Sequence, residues 1–379
     1  MKTVLCVFGT RPEAIKMAPV VKHLLSCPQD FRTVVCVTGQ HREMLDQLLR
    51  FFEIVPDHDL DLMKPGQSLG EITTRALTRL EPVLQEVRPD LVLVQGDTTT
   101  AFVGALAAYY QKTAIGHVEA GLRTYDKYAP YPEEANRAFI TVIADYNFAP
   151  TPRSRDNLLR AGCADKTIFV TGNTVIDALQ MVARRLERYD PASSAALSTI
   201  DFSRRIILVT GHRRENFGPG FEDICLGLRD IATRYPDVQI VYPVHLNPNV
   251  GEPVYRIVSG IGNILLIKPL GYPDFIFLMS RSTVVLTDSG GVQEEAPSLG
   301  KPVLVMRDVT ERPEAIDAGT VKLVGPHRAA IVEGVSTLLD DEGAYRRMAA
   351  AVNPYGDGRA SRRIGDILAG RPAEPFTGR

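Results

Sequence analysis

The sequence predicts an α/β protein made of two doubly wound domains, each with a parallel sheet covered on both faces. Short, almost continuous apolar runs alternate with helix-length amphipathic segments along the chain, which is the pattern of buried parallel strands and their crossover helices. A polar, turn-rich stretch over about residues 185–204 interrupts this alternation, as expected of a linker. A chain of 379 residues is long for one hydrophobic core and suits two domains.

Each domain has its own series of predicted strands. We expect an N-terminal domain over residues 1–170, a linker and C-terminal domain over 171–355, and a C-terminal helix over 356–379 that packs back on the N-terminal domain and ends in a frayed tail. Two such domains predict a cleft, and open α/β sheets bind ligands beyond the carboxyl ends of their strands. The predicted strands are 3–8, 33–38, 91–95, 114–118 and 147–149 in the first series, and 206–210, 238–244, 264–267, 284–287, 302–306 and 321–324 in the second.

Charge and cysteine content exclude several classes of protein. Lys plus Arg is 43 and Asp plus Glu is 45, so a net charge of -2 gives no general attraction to nucleic acid or to an anionic membrane. The five cysteines are widely spaced without a C-x-x-C pair, which argues against a disulfide scaffold and against a thiolate zinc site. The apolar N-terminus is too short for a signal peptide and no segment is long enough to span a bilayer, so we expect a cytoplasmic protein.

The first polar cluster is G-T-R-P-E-A-I-K at residues 9–16. Gly9 ends a strand, Thr10 can cap the following helix, and Pro12 suits its first turn. Arg11 and Lys16 then lie near the positive end of the helix, where an anionic ligand would bind. The alternative is a capped surface helix with solvated charges.

The second cluster consists of acids that follow neighbouring strands. Asp97 and Glu119 each end a strand, and Glu133 and Glu134 begin a helix behind a proline. Carboxylates gathered at one sheet edge repel one another, which raises the pKa of at least one and suits acid–base catalysis. The alternatives are a helix N-cap for Asp97 and first-turn acids for the glutamates. Glu119 has no such structural explanation.

The third cluster is T-G-H-R-R-E-N-F-G, which follows the first strand of the second domain. His212, Arg213 and Arg214 form a basic group that suits a diphosphate. The alternative is that the arginines pair with Glu215 or Glu222 at the surface.

The fourth cluster is L-T-D-S-G-G-V-Q-E-E-A at residues 286–296, a strand followed by a glycine turn and a helix. Glycines allow backbone N–H groups to approach phosphate oxygens at a helix start, and a carboxylate one turn later, from Glu294 or Glu295, could accept both ribose hydroxyls. Arg312 follows in T-E-R-P-E-A. The four clusters together predict a nucleotide-diphosphate sugar as the ligand. Neither a dinucleotide fingerprint nor a zinc motif occurs in the sequence, so no cofactor and no metal are expected.

Ten segments, taken together and in order along the chain, match one known family. They are FGTRPEAIKMAP, VTGQHREMLDQ, GDTTT, GHVEAGLRT, PEEANR, TGNTVIDAL, TGHRREN, VYPVHLNPNV, TDSGGVQEEAPSLGKPVLVMRDVTERPEA and NPYGDG. On these segments the chain closely resembles the bacterial non-hydrolysing UDP-N-acetylglucosamine 2-epimerases over almost all residues up to about 365. The resemblance implies two Rossmann-like domains of the glycosyltransferase-B type and a homodimer. It also implies interconversion of UDP-GlcNAc and UDP-ManNAc through elimination of UDP to 2-acetamidoglucal, which supplies cell-surface polysaccharide synthesis.

The resemblance also assigns roles to individual residues. It places catalysis on Asp97, Glu119, Glu133 and His212, and it favours Glu133 over Glu134 and Glu295 over Glu294. It leaves open which carboxylate removes the C2 proton. The implied substrate contacts are Arg11, Lys16, Leu270, Phe275, Ser289, Gly290, Gly291, Glu295 and Arg312.

Two departures from the family pattern affect binding. Leu270 occupies a contact position that is glutamine in close relatives, which is harmless only if the contact is made by the backbone. Some relatives bind UDP-GlcNAc at a second, regulatory site. Glu43 and Gly66 replace the glutamine and arginine of that site, so we expect it not to be intact, although Gln40, Arg42 and His245 match parts of it.

Three other functions remain open at this stage. A hydrolysing 2-epimerase would release ManNAc and UDP, and a glycosyltransferase of the same fold would need an acceptor. A non-catalytic sensor would bind the nucleotide sugar without turning it over.

Overall fold

The computed structural model describes residues 1–39, 42–62, 66–186 and 189–378. The chain forms two compact units, which we call unit 1 (Met1–Met181 with Tyr355–Arg379) and unit 2 (Val182–Pro354). No helix within these ranges is long and apolar enough to cross a membrane.

Unit 1 contains a parallel sheet in which seven strands are described, in the order β3-β2-β1-β4-β5-β6-β7. Its inner strands are buried along most of their length because helices cover both faces, and this explains their continuous apolar runs. The strands are β1 (Lys2–Phe8), β2 (Phe31–Val37), β3 (His58–Asp59), β4 (Leu91–Gln95), β5 (Ala114–Val118), β6 (Tyr146–Ala149) and β7 (Ile168–Val170). The helices are α1 (Arg11–Leu25), α2 (Arg42–Phe52), α3 (Leu69–Val87), α4 (Thr99–Tyr110), α5 (Glu133–Ile143), α6 (Pro152–Arg160) and the start of α7 (Thr174–Leu186).

Unit 2 repeats this arrangement with six described strands in the order β10-β9-β8-β11-β12-β13. Its core consists mainly of aliphatic side chains, with a few aromatic ones, from the sheet and from the helices on either side. The strands are β8 (Arg205–Thr210), β9 (Val238–Pro243), β10 (Ile264–Ile267), β11 (Val284–Thr287), β12 (Val303–Val305) and β13 (Val321–Leu323). The helices are α8 (Pro219–Arg234), α9 (Pro248–Val258), α10 (Tyr272–Arg281), α11 (Gly290–Ser298), α12 (Pro313–Asp317), α13 (Arg328–Asp340) and α14 (Glu342–Ala349).

The predicted fold class, two doubly wound α/β domains, is confirmed. Each sheet has a switch point, where the strand order reverses: between β1 and β4 in unit 1, and between β8 and β11 in unit 2. Loops that leave neighbouring strands on either side of a switch point diverge and leave a crevice, where this class of sheet binds ligands. The sequence missed β3 and β7, since two or three residues give no measurable periodicity.

The end of the chain returns to unit 1 as α15 (Ala360–Leu368), which packs against α1. The Asp177 carboxylate accepts hydrogen bonds from the backbone N–H groups of Ala360 and Ser361 at the start of this helix. The tail beyond it was expected to be frayed, and this expectation differs from the structure. Phe376 is buried and its N–H donates to the Val170 carbonyl at 2.8 Å, so the tail uses an unpaired group of the edge strand β7.

Candidate active site

Glu119 lies close to the switch point of unit 1, at the end of the strand that pairs with β4. It directly follows β5 with a left-handed backbone (φ 64°), an unfavourable conformation for a residue that is not glycine. Its two carboxylate oxygens lie 2.5 and 2.6 Å from the Lys16 ammonium. Gln95 and Asn173 also donate to it, Asn173 at 2.9 Å. The buried Glu119 charge is therefore balanced by one cation and two amides.

Asp97 follows β4 and lies on the same edge of the sheet. Its Oδ2 accepts a hydrogen bond of 2.5 Å from Arg137, while the Asn136 amide donates to its backbone carbonyl at 2.9 Å. Burial raises the pKa of Asp97, with the nearby Glu119 and Glu133 charges acting in the same direction against Arg137 and Lys16. Asp97 is not the cap of α4, because Thr98 caps that helix. The structure thus places Asp97 close enough to Glu119 and Glu133 for their charges to interact.

Glu133 and Glu134 begin α5, and their environments differ. Glu134 is buried, accepts the N–H groups of Thr124 and Tyr125 at 3.1 and 3.2 Å, and lies 3.3 Å from Arg137. Glu133 is half-buried, and its side chain makes no hydrogen bond or ion pair within the part of the chain that the structure describes. Glu134 therefore has a structural task, which leaves Glu133 available to a ligand.

The start of α1 is built as the sequence predicts. Thr10 and Glu13 form a capping box, and Glu13 also accepts the Gly9 N–H at 3.0 Å and the Thr98 hydroxyl at 2.6 Å. Burial raises the pKa of Glu13. A side chain at Gly9 would collide with the Thr38 hydroxyl, so only glycine fits there. This network fixes the first turn of α1, which contains Arg11, and the next turn, which contains Lys16.

His212 lies at the switch point of unit 2, after β8. Its Nδ1 is 3.1 Å from Oδ1 of Asp288, which follows β11 and is fully buried. Asp288 Oδ2 accepts the backbone N–H groups of His212 and Arg213, each at 2.8 Å. Burial raises the pKa of Asp288, but the contacts with His212 and the two N–H groups outweigh this effect and hold the pKa below its usual value. The His245 ring stacks on His212 with a centroid distance of 5.7 Å.

The alternative, in which the arginines of this loop pair with Glu215 or Glu222, differs from the structure. Glu215 pairs with Arg307 and Glu222 pairs with Arg256. Arg213 lies 3.6 Å from Glu311 and is about two-fifths exposed. The loop therefore retains basic side chains next to His212.

The glycine loop before α11 has the form expected of an anion site. Ser289 directly precedes the helix, and its hydroxyl makes no capping hydrogen bond in the described structure, so the first N–H groups of the helix are not used by it. Its own N–H donates to the Thr287 hydroxyl at 2.9 Å. A Cβ on Gly290 would lie 2.7 Å from the Arg312 guanidinium, so the absence of a side chain lets Arg312 pack over the loop.

The two glutamates of α11 have different partners. Glu294 is buried and pairs with Arg312 at 2.6 Å. Glu295 accepts a hydrogen bond of 2.6 Å from the Tyr272 hydroxyl, and its other oxygen faces Gly291. Glu294 thus orients Arg312, while Glu295 lies beside the glycine loop.

The remaining predicted contacts fall on or near α10. Phe275 is half-buried on the first turn of this helix, and Leu270 precedes it with only 8% of its surface exposed. The Leu270 side chain is thus part of the packing, and its backbone is left for any contact. Of the residues considered for a regulatory site, Gln40 and the side chains of Arg42 and Glu43 lie outside the described residues. Gly66 is exposed, with no atom within 4 Å of an added Cβ.

Several site residues were not singled out from the sequence. Arg137, Gln95 and Asn173 surround the unit 1 carboxylates, and Asp288 and Tyr272 hold His212 and Glu295. Asp288 follows a predicted strand, so its position at a strand end was a usable signal, whereas Asn173 follows β7, which the sequence did not predict. Arg137 and Tyr272 lie within helices, where sequence spacing does not show which side chain they reach. The described residues contain no group of three His, Cys, Asp or Glu side chains placed to hold a metal ion.

Comparison with known proteins identifies relatives of the whole chain. The family model described as UDP-N-acetylglucosamine 2-epimerase matches residues 25–369. The UDP-N-acetylglucosamine 2-epimerase of Escherichia coli (strain K12) is 59% identical over 368 residues, which cover 96% of this chain and 98% of that protein.

Solved structures agree with this match. A UDP-GlcNAc 2-epimerase from Neisseria meningitidis bound to UDP-GlcNAc has a TM-score of 0.90 and 51% identity, covering 97% of this chain and 100% of the other. The Methanocaldococcus jannaschii UDP-GlcNAc 2-epimerase in complex with UDP-GlcNAc and UDP has a TM-score of 0.80 and 33% identity, covering 97% and 99%. Both sheets therefore form a fold of the glycosyltransferase-B type, and the chain belongs to the UDP-N-acetylglucosamine 2-epimerase family.

Proposed function

We propose that this protein interconverts UDP-GlcNAc and UDP-ManNAc by inversion at C2 and releases no free sugar. The observation that carries the proposal is the pair of carboxylates at the unit 1 switch point. Asp97 and Glu119 are electrostatically coupled, and each is held by a cation, Arg137 or Lys16. The relatives of this chain are named for this epimerisation, and two were solved with UDP-GlcNAc bound.

The chemistry of the sugar determines the route. The C2 proton is not acidic, and the sequence has no dinucleotide fingerprint for oxidising a neighbouring hydroxyl. In the proposed reaction a carboxylate takes the C2 proton, the electron pair forms the C1–C2 double bond, and the C1–O bond breaks to release UDP. The intermediate is 2-acetamidoglucal. UDP then adds back to C1 while a proton reaches C2 from the opposite face.

This route assigns proton transfer to unit 1. Inversion requires acid–base groups on both faces of the sugar, and Asp97, Glu119 and Glu133 supply three carboxyl groups near one switch point. The raised pKa of Asp97 suits a group that must both accept and return a proton. Glu133 is the helix-start glutamate whose side chain makes no hydrogen bond or ion pair with the described residues, which supports its preference over Glu134.

UDP binding is assigned to unit 2. His212 and the neighbouring arginines supply positive charge for the diphosphate leaving group. The N–H groups at the start of α11 suit a phosphate, and Glu295 suits the ribose hydroxyls. Phe275 and the Leu270 backbone are the other proposed substrate contacts in unit 2. In unit 1 the proposed substrate contacts are Arg11 and Lys16.

The proposal is tested by incubating the protein with UDP-GlcNAc alone in D₂O. We expect UDP-ManNAc to form and deuterium to appear at C2 of both nucleotide sugars by NMR. Free ManNAc that accumulates together with UDP would instead identify a hydrolysing 2-epimerase. Binding without exchange at C2 would identify a sensor or an acceptor-dependent glycosyltransferase. Glu119→Gln protein serves as the control for background exchange.

We further infer that the protein acts as a homodimer. Exposed apolar side chains line neighbouring parts of α4 and α5, with Phe139 54% and Val142 82% exposed beside Phe102. A second copy of this chain would bury this surface. Light scattering coupled to gel filtration should give twice the chain mass, and Val142→Glu should lower it.

The cellular role follows from the product. We propose that it supplies cell-surface polysaccharide synthesis from the cytoplasm, a setting consistent with five free cysteines.

A further inference from the structure

His212 and Asp288 form an acid–imidazole pair in unit 2, in which the carboxylate is buried and the imidazole is partly exposed. The carboxylate accepts two backbone N–H groups with Oδ2, from His212 itself and from Arg213. The other oxygen, Oδ1, is buried, lies 3.1 Å from His212 Nδ1, and has no aligned hydrogen bond within the described residues. A buried carboxylate oxygen without a donor is unfavourable, and a small rotation of the imidazole would supply one.

The geometry points to Asp288 as a positioning residue that holds His212 with Nδ1–H toward the carboxylate, leaving Nε2 to face the diphosphate of the substrate. This inference rests on the role of His212 in the proposed function. Asp288 does not touch the substrate, but it determines which nitrogen of the His212 imidazole faces the substrate.

The backbone contacts explain why the pair is rigid. Asp288 directly follows β11, and its N–H donates to the Thr210 carbonyl at the end of β8. The carboxylate is thus fixed at the switch point, where it clamps both the main chain and the ring of His212. With Nδ1–H turned toward the carboxylate, Nε2 is the ring nitrogen that meets the negative charge developing on departing UDP. On the other side, the ring stacks on His245, and Asn247 N–H donates to His245 Nδ1 at 3.1 Å.

Asp288→Asn tests this inference because the two backbone N–H groups determine the orientation of the new side-chain amide. Its oxygen has to face them, so its NH₂ group faces His212 Nδ1. The imidazole must then accept at Nδ1 and become the neutral Nε2–H tautomer. In ¹⁵N-histidine NMR we expect His212 Nδ1 to be protonated in the wild type and unprotonated in the variant. We expect kcat for UDP-GlcNAc to fall about 10- to 100-fold, as for other residues that orient a reactive ligand, with KM changed less than about 3-fold.

A double-mutant cycle separates positioning from a general effect on structure. Asp288→Asn should cause no further loss in a His212→Ala background, since its effect passes through the ring. Equal losses in both backgrounds, or an Nδ1 without a proton in the wild type, would overturn the inference. Asp308→Asn is the matched control, because Asp308 pairs with His327 at 2.9 Å on the exposed surface of the same unit, and its kcat should equal that of the wild type.

The NMR result does not depend on turnover. Wild-type protein that lacks 2-epimerase activity would refute the proposed function, while the protonation of Nδ1 would still decide whether Asp288 orients His212.

Discussion

The carboxylates at the two switch points are held in different ways. In unit 1, Glu119 and Asp97 are paired with cationic side chains, Lys16 and Arg137. In unit 2, Asp288 is held by backbone N–H groups, and Glu295 by the Tyr272 hydroxyl. In both units the carboxylates lie at the ends of parallel strands or in the helices that follow them. The two folds are therefore alike, but the groups that hold the carboxylates differ.

The difference indicates two kinds of task. A carboxylate paired with a cationic side chain can change its protonation state when a ligand moves that cation, because the charge balance is set by side chains. A carboxylate fixed by backbone N–H groups or by a hydroxyl is held in position. Unit 1 is therefore suited to moving protons, and unit 2 to holding UDP in one orientation.

Glu119→Gln should have the largest effect. It removes a buried ionisable group that is paired with Lys16, so we expect kcat to fall by about 10²- to 10⁴-fold. UDP affinity, measured by calorimetry, should stay within about 3-fold, since UDP binding is assigned to unit 2. Asp97→Asn should behave in the same way. Wild-type turnover in either variant would contradict the acid–base roles.

The two glutamates of α5 give the next contrast. Glu133→Gln should lower kcat about 100-fold with little change in Tm, because its side chain has no structural partner among the described residues. Glu134→Gln should instead lower the free energy of unfolding by about 2 kcal/mol, since Glu134 accepts two backbone N–H groups and faces Arg137. Parallel kinetics and thermal melts check both expectations. An equal loss of kcat in the two variants would remove the distinction between them.

These contrasts also show how far the sequence could predict the site. Strand-end positions are set by local apolar patterning, so Asp97, Glu119 and His212 could be identified from the chain alone. The resemblance to a family chose Glu133 over Glu134, which spacing could not do. Contacts such as Arg137 to Asp97 depend on how α5 packs against the sheet, and no local pattern encodes that geometry. The expectation of a frayed tail was wrong for the same reason. The tail is ordered by its contact with β7, which is distant in sequence from Phe376.

Arg137→Gln tests the cation side of the comparison. Burial raises the pKa of Asp97, and Arg137 opposes this rise. Removal of the guanidinium should raise the pKa further, so the limb of the kcat/KM profile that Asp97 controls should move to higher pH. We expect about a 10-fold loss of kcat/KM at pH 7. Arg155→Gln removes an exposed pair with Asp165 and is the control. A limb that moves to lower pH would contradict this account.

A smaller effect, confined to binding, is expected at Glu295. Glu295→Gln should raise KM and the UDP dissociation constant about 10-fold while kcat stays within about 2-fold, because a charged hydrogen bond to the ribose is lost equally in substrate and transition state. Tyr272→Phe, which removes the hydroxyl that donates to this carboxylate, should raise KM about 3-fold. A fall in kcat without a change in KM would place Glu295 among the proton-transfer groups instead.

Leu270 should show the smallest catalytic effect of all. Its side chain is 8% exposed, so Leu270→Ala leaves a cavity and should cost about 2 kcal/mol of unfolding free energy. If only its backbone contacts the nucleotide, the KM for UDP-GlcNAc should change less than about 2-fold in the folded variant. Leu270→Gln, which restores the glutamine of close relatives, should not improve binding. A several-fold lower KM for that variant would show that the side chain at position 270 contacts the uracil base. Unit 2 would then bind UDP through this side chain as well as through backbone and carboxylate groups.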